Sequence, residues 1–326
     1  MSGLSDSFQR PVNYLRISVT DRCNLRCFYC MPPQGIPLLP RDEVLSYEEI
    51  HMVVQAAAEL GIAKVRLSGG EPLVRDGLAG LVEKLSRIEG IDDLSLTTNG
   101  VLLRQQAEEL RRAGLRRVNV SLDTLQPARF RQITGYDRLK EVLQGIEAAR
   151  RAGLEPVKVN MVVMRGVNDD ELLDFARLTV KEGWHVRFVE LMPLVERFTS
   201  AQSFMSAGEI RQLLAPLGEL EPCLPPAGNG PAKYYRLPGA EGTLGFITPV
   251  SEHFCFGCNR LRLTARGKLY PCLLAEEEVD LRETLRRGAS REEIKQLIQQ
   301  AVALKPVGHR LAQGLAPRRG MSQVGG

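Results

Sequence analysis

Six of the seven cysteines in this 326-residue chain fall into two triads. The first is Cys23, Cys27 and Cys30, in the run CNLRCFYC; the second is Cys255, Cys258 and Cys272, opening with CFGC. A structural metal site is ordinarily closed by four protein ligands, so three thiolates leave one coordination position open. An open position on a metal is where a small molecule can bind and be changed. Structural zinc would need a fourth ligand for each triad. Of His51, His185, His253 and His309, only His253 stands close enough in sequence, beside Cys255. Disulfides fit poorly, because the cysteine count is odd and the polar N-terminal stretch has no apolar region of the secretory type. A reducing cytoplasm is the expected location, with Cys223 as an unpaired thiol in a Pro/Gly loop.

The elements that must position these thiols are legible from periodicity. Short β-rich runs at 14–19, 64–68, 94–98, 117–121, 157–163 and 185–190 alternate with helical patterns. Ser46 with Glu49 forms a capping box, followed by Ile50, Val53, Val54, Ala57 and Ala58 on one helical face. Six strand-then-helix units imply parallel crossovers, hence an open doubly wound sheet or a barrel-like arrangement. Ser206 and Glu209 cap a further helix, and EPCLPPAGNGP then breaks the pattern, so a first unit is placed at 1–220 and an α+β extension at 221–326. In the extension, strand-like pieces are expected at 233–237, 245–248, 261–264 and 268–270. A last helix, capped by Ser290 and Glu293, has the face Ile294, Leu297, Ile298, Ala301 and Val302.

Parity along the strands separates the two architectures. Parallel strands covered by helices usually read as apolar on both faces, yet here alternate positions are polar: Arg16 and Ser18; Lys64, Arg66 and Ser68; Ser95 and Thr97; Asn119 and Ser121; Lys158 and Asn160; with Arg187 as a candidate sixth. A closed eight-stranded barrel fills its lumen with branched apolar side chains, so a cationic lumen favours an incomplete barrel around an anionic ligand. The hydrophobic content of 44% supports a sizeable core, and no apolar run approaches bilayer length. The net charge of +4 lacks the dense basic stripe of a nucleic-acid binder, so neither membrane nor nucleic acid is an expected partner.

The first triad, with Ser68-Gly69-Gly70-Glu71-Pro72 after the second strand, resembles the cluster motif of radical S-adenosylmethionine (SAM) enzymes. The segments YLRISVTDRCNLRCFYCMP, KVRLSGGEPLVR, LTTNG, VNVSLDTL, VKVNMVV, VRFVELMP and HFCFGCNRLRLTARGKLYPCL, with the closing MSQVGG, resemble more closely the GTP 3',8-cyclase family of molybdenum cofactor biosynthesis. Two departures stand out: Phe8-Gln9-Arg10 where Phe-Gly-Arg is expected, and an unfamiliar loop at 195–204.

The resemblance implies an α/β fold, an incomplete (β/α)6 TIM-type barrel whose C-terminal α+β extension carries a second iron–sulfur cluster. It implies one 4Fe-4S cluster on Cys23, Cys27 and Cys30, with SAM on its open iron, lined by Tyr29, Gly70, Ser121 and Met192. The glycines are expected to let the SAM amino group approach closely. A second 4Fe-4S cluster on Cys255, Cys258 and Cys272 would bind the guanine of GTP, with Arg16, Arg66, Thr97, Lys158, Arg260 and Arg262 around the nucleotide. Gly325 and Gly326 would thread into the lumen and take part in catalysis, with Arg318 and Arg319 helping to hold the tail. In the implied reaction, a 5'-deoxyadenosyl radical takes hydrogen from C3' of GTP and the resulting radical attacks C8. The implied partners are GTP, an electron donor and the downstream cyclic pyranopterin monophosphate synthase, with room for a homodimer. Two other classes stay open on the residues alone. One is a peptide-modifying radical SAM enzyme, which keeps the first triad but does not need the cationic lumen; the other is a metal-stabilised nucleic-acid binder.

Overall fold

The computed structural model describes residues 3–32, 34–194, 203–309 and 311. Its first part alternates strand and helix: β1 (Tyr14–Ser18), α1 (Tyr47–Glu59), β2 (Lys64–Ser68), α2 (Leu78–Ser86), β3 (Asp93–Thr98), α3 (Leu103–Arg112) and β4 (Arg117–Ser121). Two helices, α4 (Pro127–Thr134) and α5 (Leu139–Arg151), then precede β5 (Lys158–Val163), α6 (Leu172–Lys181), β6 (His185–Glu190) and α7 (Ala207–Leu214). All three expected capping boxes form, on α1, on α7 and on the last helix. The expected α1 face is also formed, except that Ala56 rather than Ala58 is buried with Ile50, Val53, Val54 and Ala57.

After α7 come β7 (Glu221–Pro222), β8 (Lys233–Arg236), β9 (Thr243–Ile247), β10 (Arg260–Leu263), β11 (Lys268–Tyr270), β12 (Val279–Asp280), α8 (Arg282–Arg286) and α9 (Arg291–Ala303). The strands form one sheet in the order β12-β11-β10-β1-β2-β3-β4-β5-β6-β9-β8-β7. β1 to β6 are the expected six parallel strands, each paired with the next. The strands after the 220/221 break do not form a sheet of their own. β9 runs parallel to β6 and β10 runs parallel to β1, so the extension lengthens the barrel wall at both edges. Antiparallel pairs, β8 with β7 and β11 with β12, finish the two ends.

The apolar core is likewise shared. One continuous cluster joins Ile17, Val65, Leu96, Val118, Val159 and Phe188 of the barrel to Leu261, Leu269, Leu281, Ile294 and Ile298 of the extension. On β1 to β6 these side chains occupy the even positions of each strand, counted from its first residue, and face the helices, which leaves the odd positions for the lumen. Glu190, buried at the end of β6, ties the two parts together by accepting from the amides of Ala207, Val250 and Ser251 at 2.9 to 3.0 Å.

Candidate active site

The first triad lies on the loop that leaves the C-terminal end of β1. Its turn is closed by Cys30 N and Met31 N donating to Cys27 O, both at 3.0 Å. The loop docks on the end of α4, where Arg26 N donates to Thr134 O and Phe28 N to Ile133 O. The strand-end loops then reach the sulfur. Leu25 N lies 3.4 Å and Asn99 Nδ2 3.9 Å from Cys23 Sγ. Glu71, buried behind them, accepts from Asn99 N (2.6 Å), Thr98 Oγ1 (2.7 Å) and Leu73 N (3.0 Å), and its burial pushes its carboxyl up to about 7. Burial also drives the Cys27 thiol well up, reinforced by Asp123 and by the neighbouring Cys30 and Cys23. Desolvated thiols at Cys23 and Cys27, with Cys30 beside them, suit a cationic iron centre, which deprotonates its ligands. Among the described residues, no three His, Cys, Asp or Glu groups gather as a single-ion site.

The Gly-Gly pair also has a packing role. A Cβ on Gly70 would lie 2.3 Å from Arg22 O, and one on Gly69 would lie 2.7 Å from Thr20 O. Gly70 N donates to Thr20 O and Glu71 N to Arg22 O, each at 2.7 Å. The glycines are bare because the cysteine loop lies against them, which fixes that loop to β2.

Of the other residues expected around SAM, Tyr29 donates to Asp123 Oδ2 at 2.7 Å, and Asp123 Oδ1 accepts from Val162 N at 2.9 Å. Burial raises the Asp123 carboxyl to about 6. Ser121 ends β4 with Asn160 as its neighbour on β5, and Met192 follows β6, so both stand at the same rim as the triad.

The second triad belongs to the opposite end. Cys258 precedes β10, whose first residue, Arg260, is the partner of Tyr14 at the start of β1. Cys272 follows the antiparallel β11, which carries the chain back to that end. Burial raises the Cys258 thiol, but Arg260 and Lys305 outweigh it and bring the thiol down to about 6. Arg260 Nη2 lies 3.5 Å from Cys258 Sγ, and Leu274 N lies 3.5 Å from Cys272 Sγ. Each triad therefore has an N–H donor aimed at sulfur, a feature that tunes metal–thiolate centres.

Between the two ends lies the lumen. Arg16 is the direct cross-strand partner of both Arg66 and Arg262, so three guanidiniums stand side by side on β10, β1 and β2. Burial, with neighbouring cations, depresses all three: Arg66 and Arg262 to about 10, and Arg16 well below its ordinary value. Arg66 Nε donates to Ser95 Oγ at 3.2 Å. In the next layer Asn119 pairs with Lys158, and Lys158 with His185. Lys158 donates to Ala227 O at 2.5 Å, and burial with Arg187 and Arg117 nearby takes its ammonium down to about 6. The hydroxyl of Thr97, Oδ1 of Asn160, Nε of Arg187 and the hydroxyl of Tyr14 are buried without a hydrogen-bond partner. Unpaired buried polar atoms cost about 1 to 3 kcal/mol each, so this lumen fits a polar, anionic ligand.

Residue types alone did not single out Arg10, Asn99, Asp123 or Lys305. The first three stand inside recognisable strings; Lys305 has no local signal. Gly325, Gly326, Arg318 and Arg319, and 195–202 of the unfamiliar loop, lie outside the described residues.

Residues 17–179 match the Radical SAM superfamily and residues 184–311 match Molybdenum Cofactor Synthesis C. A GTP 3',8-cyclase from Pelotomaculum thermopropionicum is 54% identical over 325 residues, covering 99% of this chain and 100% of its own length. The chain belongs to the GTP 3',8-cyclase family. Another member, from Desulforamulus reducens, is 52% identical over 323 residues, covering 98% and 99% of the two chains. Among solved structures, Streptococcus suis SuiB bound to S-adenosylmethionine superposes with a TM-score of 0.61 at 14% identity, over 87% of this chain and 68% of SuiB. That likeness is one of fold: the partial barrel is common to both, whereas the identity that marks the cyclase family runs the whole length of this chain.

Proposed function

We propose that the protein is a radical SAM lyase that cyclises GTP to (8S)-3',8-cyclo-7,8-dihydroguanosine 5'-triphosphate, the first step of molybdenum cofactor biosynthesis. Within the molecule, the observation that carries this reading is the row Arg262, Arg16, Arg66 on adjacent strands between two thiol triads. Like charges directly opposite one another across strands are destabilising. A triphosphate among them removes the repulsion and gains charge-assisted bonds.

In this reading Cys23, Cys27 and Cys30 hold one 4Fe-4S cluster at the C-terminal rim, and Cys255, Cys258 and Cys272 hold another at the far end. When bound, the first cluster and SAM supply the one-electron chemistry that removes hydrogen from C3' of GTP, so that C3' can join C8. The chain positions the reactants. The five residues of β1, about 15 Å of strand, lie between the two triads. Tyr29, Gly70, Ser121 and Met192 stand on the rim that would hold SAM. Arg16, Arg66, Thr97 and Lys158 line the lumen for the nucleotide, and Arg260 and Arg262 hold it toward the second triad. Enclosure by the barrel wall keeps water from the reacting carbon. An electron donor, a homodimeric state, delivery of the product to cyclic pyranopterin monophosphate synthase and a cytoplasmic location complete the proposal.

The test is anaerobic incubation with SAM, GTP labelled with deuterium at C3', and a strong reductant. A nucleotide isomeric with GTP, with the label transferred into 5'-deoxyadenosine, is expected. 5'-Deoxyadenosine without label, and no isomer, would overturn the reading.

A further inference from the structure

Lys305 follows the last turn of α9 and is 3% exposed. Its ammonium donates to Arg260 O at 2.8 Å and Pro271 O at 2.9 Å, and lies 3.6 Å from Cys258 Sγ. Three acceptors use all three N–H bonds of an ammonium. A buried lysine ordinarily survives by pairing with a carboxylate. Among the described residues none of the ion pairs includes Lys305, and the negative groups that face it are the Cys258 and Cys272 thiolates, against the cations of Arg260 and Arg10. Arg10 does a different job: it is bonded to Asp6 at 2.6 Å and spends its remaining donors on Cys255 O, Pro306 O and Val307 O, binding the N-terminal turn to this loop.

We propose that Lys305 is a positioning residue for the second iron–sulfur cluster, holding the Cys258 thiolate in place and raising the cluster's reduction potential by its charge. This rests on the assignment of Cys255, Cys258 and Cys272 as ligands of that cluster. Reduction adds an electron to an already anionic thiolate cluster. A fixed cation on a ligand sulfur stabilises the reduced form more than the oxidised one. The same ammonium also bridges the strand that carries Arg260 to the residue before Cys272, so charge and geometry come from one side chain.

The experiment compares full-length wild type, Lys305→Met and Lys305→Arg, each purified anaerobically with both clusters. Iron content is measured, and a dithionite titration is followed by electron paramagnetic resonance, with the first cluster as internal reference. Lys305→Met should keep its iron and lower the potential of the second cluster alone by about 59 mV or more, equivalent to a tenfold change in the reduced-to-oxidised ratio. Lys305→Arg should stay near wild type. An unchanged potential in Lys305→Met, an equal shift in both variants, or loss of the second cluster from both would overturn the tuning role. Loss of that cluster from Lys305→Met with a normal Lys305→Arg would support the need for charge. Wild type with about four irons rather than about eight would instead sink the ligand assignment on which the proposal stands.

Discussion

Lys158 behaves differently in the free protein from what its residue type suggests. Burial among arginines brings it from an ordinary value of 10.5 to about 6, so near neutral pH the free protein holds it mostly as an amine. A bound triphosphate favours the ammonium, which raises the pKa again. Binding near about pH 7.5 should therefore take up a proton, and GTP affinity should weaken as pH rises above about 6. Calorimetry in buffers of different ionisation enthalpy reads the uptake directly; Lys158→Met should abolish it, and wild type binding without uptake would contradict the assignment. The arginine row makes a separate prediction. Arg66→Ala or Arg262→Ala should each weaken GTP binding by about 10- to 150-fold, corresponding to about 1.5 to 3 kcal/mol, with SAM binding little changed. Unchanged GTP affinity in both would remove the phosphate role. Gln9 offers a test of stability rather than binding. It closes the Asp6–Arg10 turn with φ of 61°, the one non-glycine positive φ among the described residues, at the place where Phe-Gly-Arg is the expected motif. Gln9→Gly should raise stability by about 0.5 to 1 kcal/mol, visible as a higher melting temperature; no gain would show that the side chain offsets the strain.

At the scale of elements, the loops at the strand ends are held by buried groups that are neither ligands nor core. Glu71 joins the loop after β2 to the loop after β3, Glu190 joins β6 to α7 and the extension, and Glu171 accepts from Thr124 Oγ1 and Leu125 N beside α4. Such carboxylates satisfy several loop amides at once, which lets irregular chain lie against the barrel. At Gly70 an added methyl would have only backbone to push against, that of Arg22 and Asp21. Gly70→Ala should displace the first cysteine loop, taking iron from about eight to about four per chain while GTP affinity persists. Full iron content and normal turnover in that variant would show that the two loops part easily.

For the whole molecule, the sheet places its two triads at opposite ends of the same strands and shares one core between barrel and extension. Separate loss of either cluster should leave a folded chain, because no triad cysteine is among the buried members of the shared core, Cys23 and Cys27 lying only against its edge. Deleting Gly325 and Gly326 is expected to preserve both clusters and GTP affinity while sharply reducing 5'-deoxyadenosine and cyclised nucleotide. Single-turnover assays with iron content checked in parallel decide it, and near-normal turnover would make the tail dispensable.

The sequence by itself determined the thiol triads, the three capping boxes, the six parallel strands and the lumen face. Each of these depends on local spacing: a period of two along a strand puts Arg16 with Ser18, Arg66 with Lys64 and Ser68, and Lys158 with Asn160 on one side of their own strands whatever those strands later pair with. Strand ends differ from the expected ones by one residue at β10 and by up to two at β9, because pairing rather than composition ends a strand. Only the tertiary structure decided that β9 and β10 flank the barrel on opposite edges, since nothing in a short strand records which distant strand has an open edge. It also decided the order along the sheet that sets Arg262 beside Arg16. The same holds for Gly70 packed against Arg22 and for Lys305 delivered to Cys258 from 47 residues away. Those contacts arise when separate segments are pressed together around one core, and side-chain chemistry alone does not encode which segments will meet.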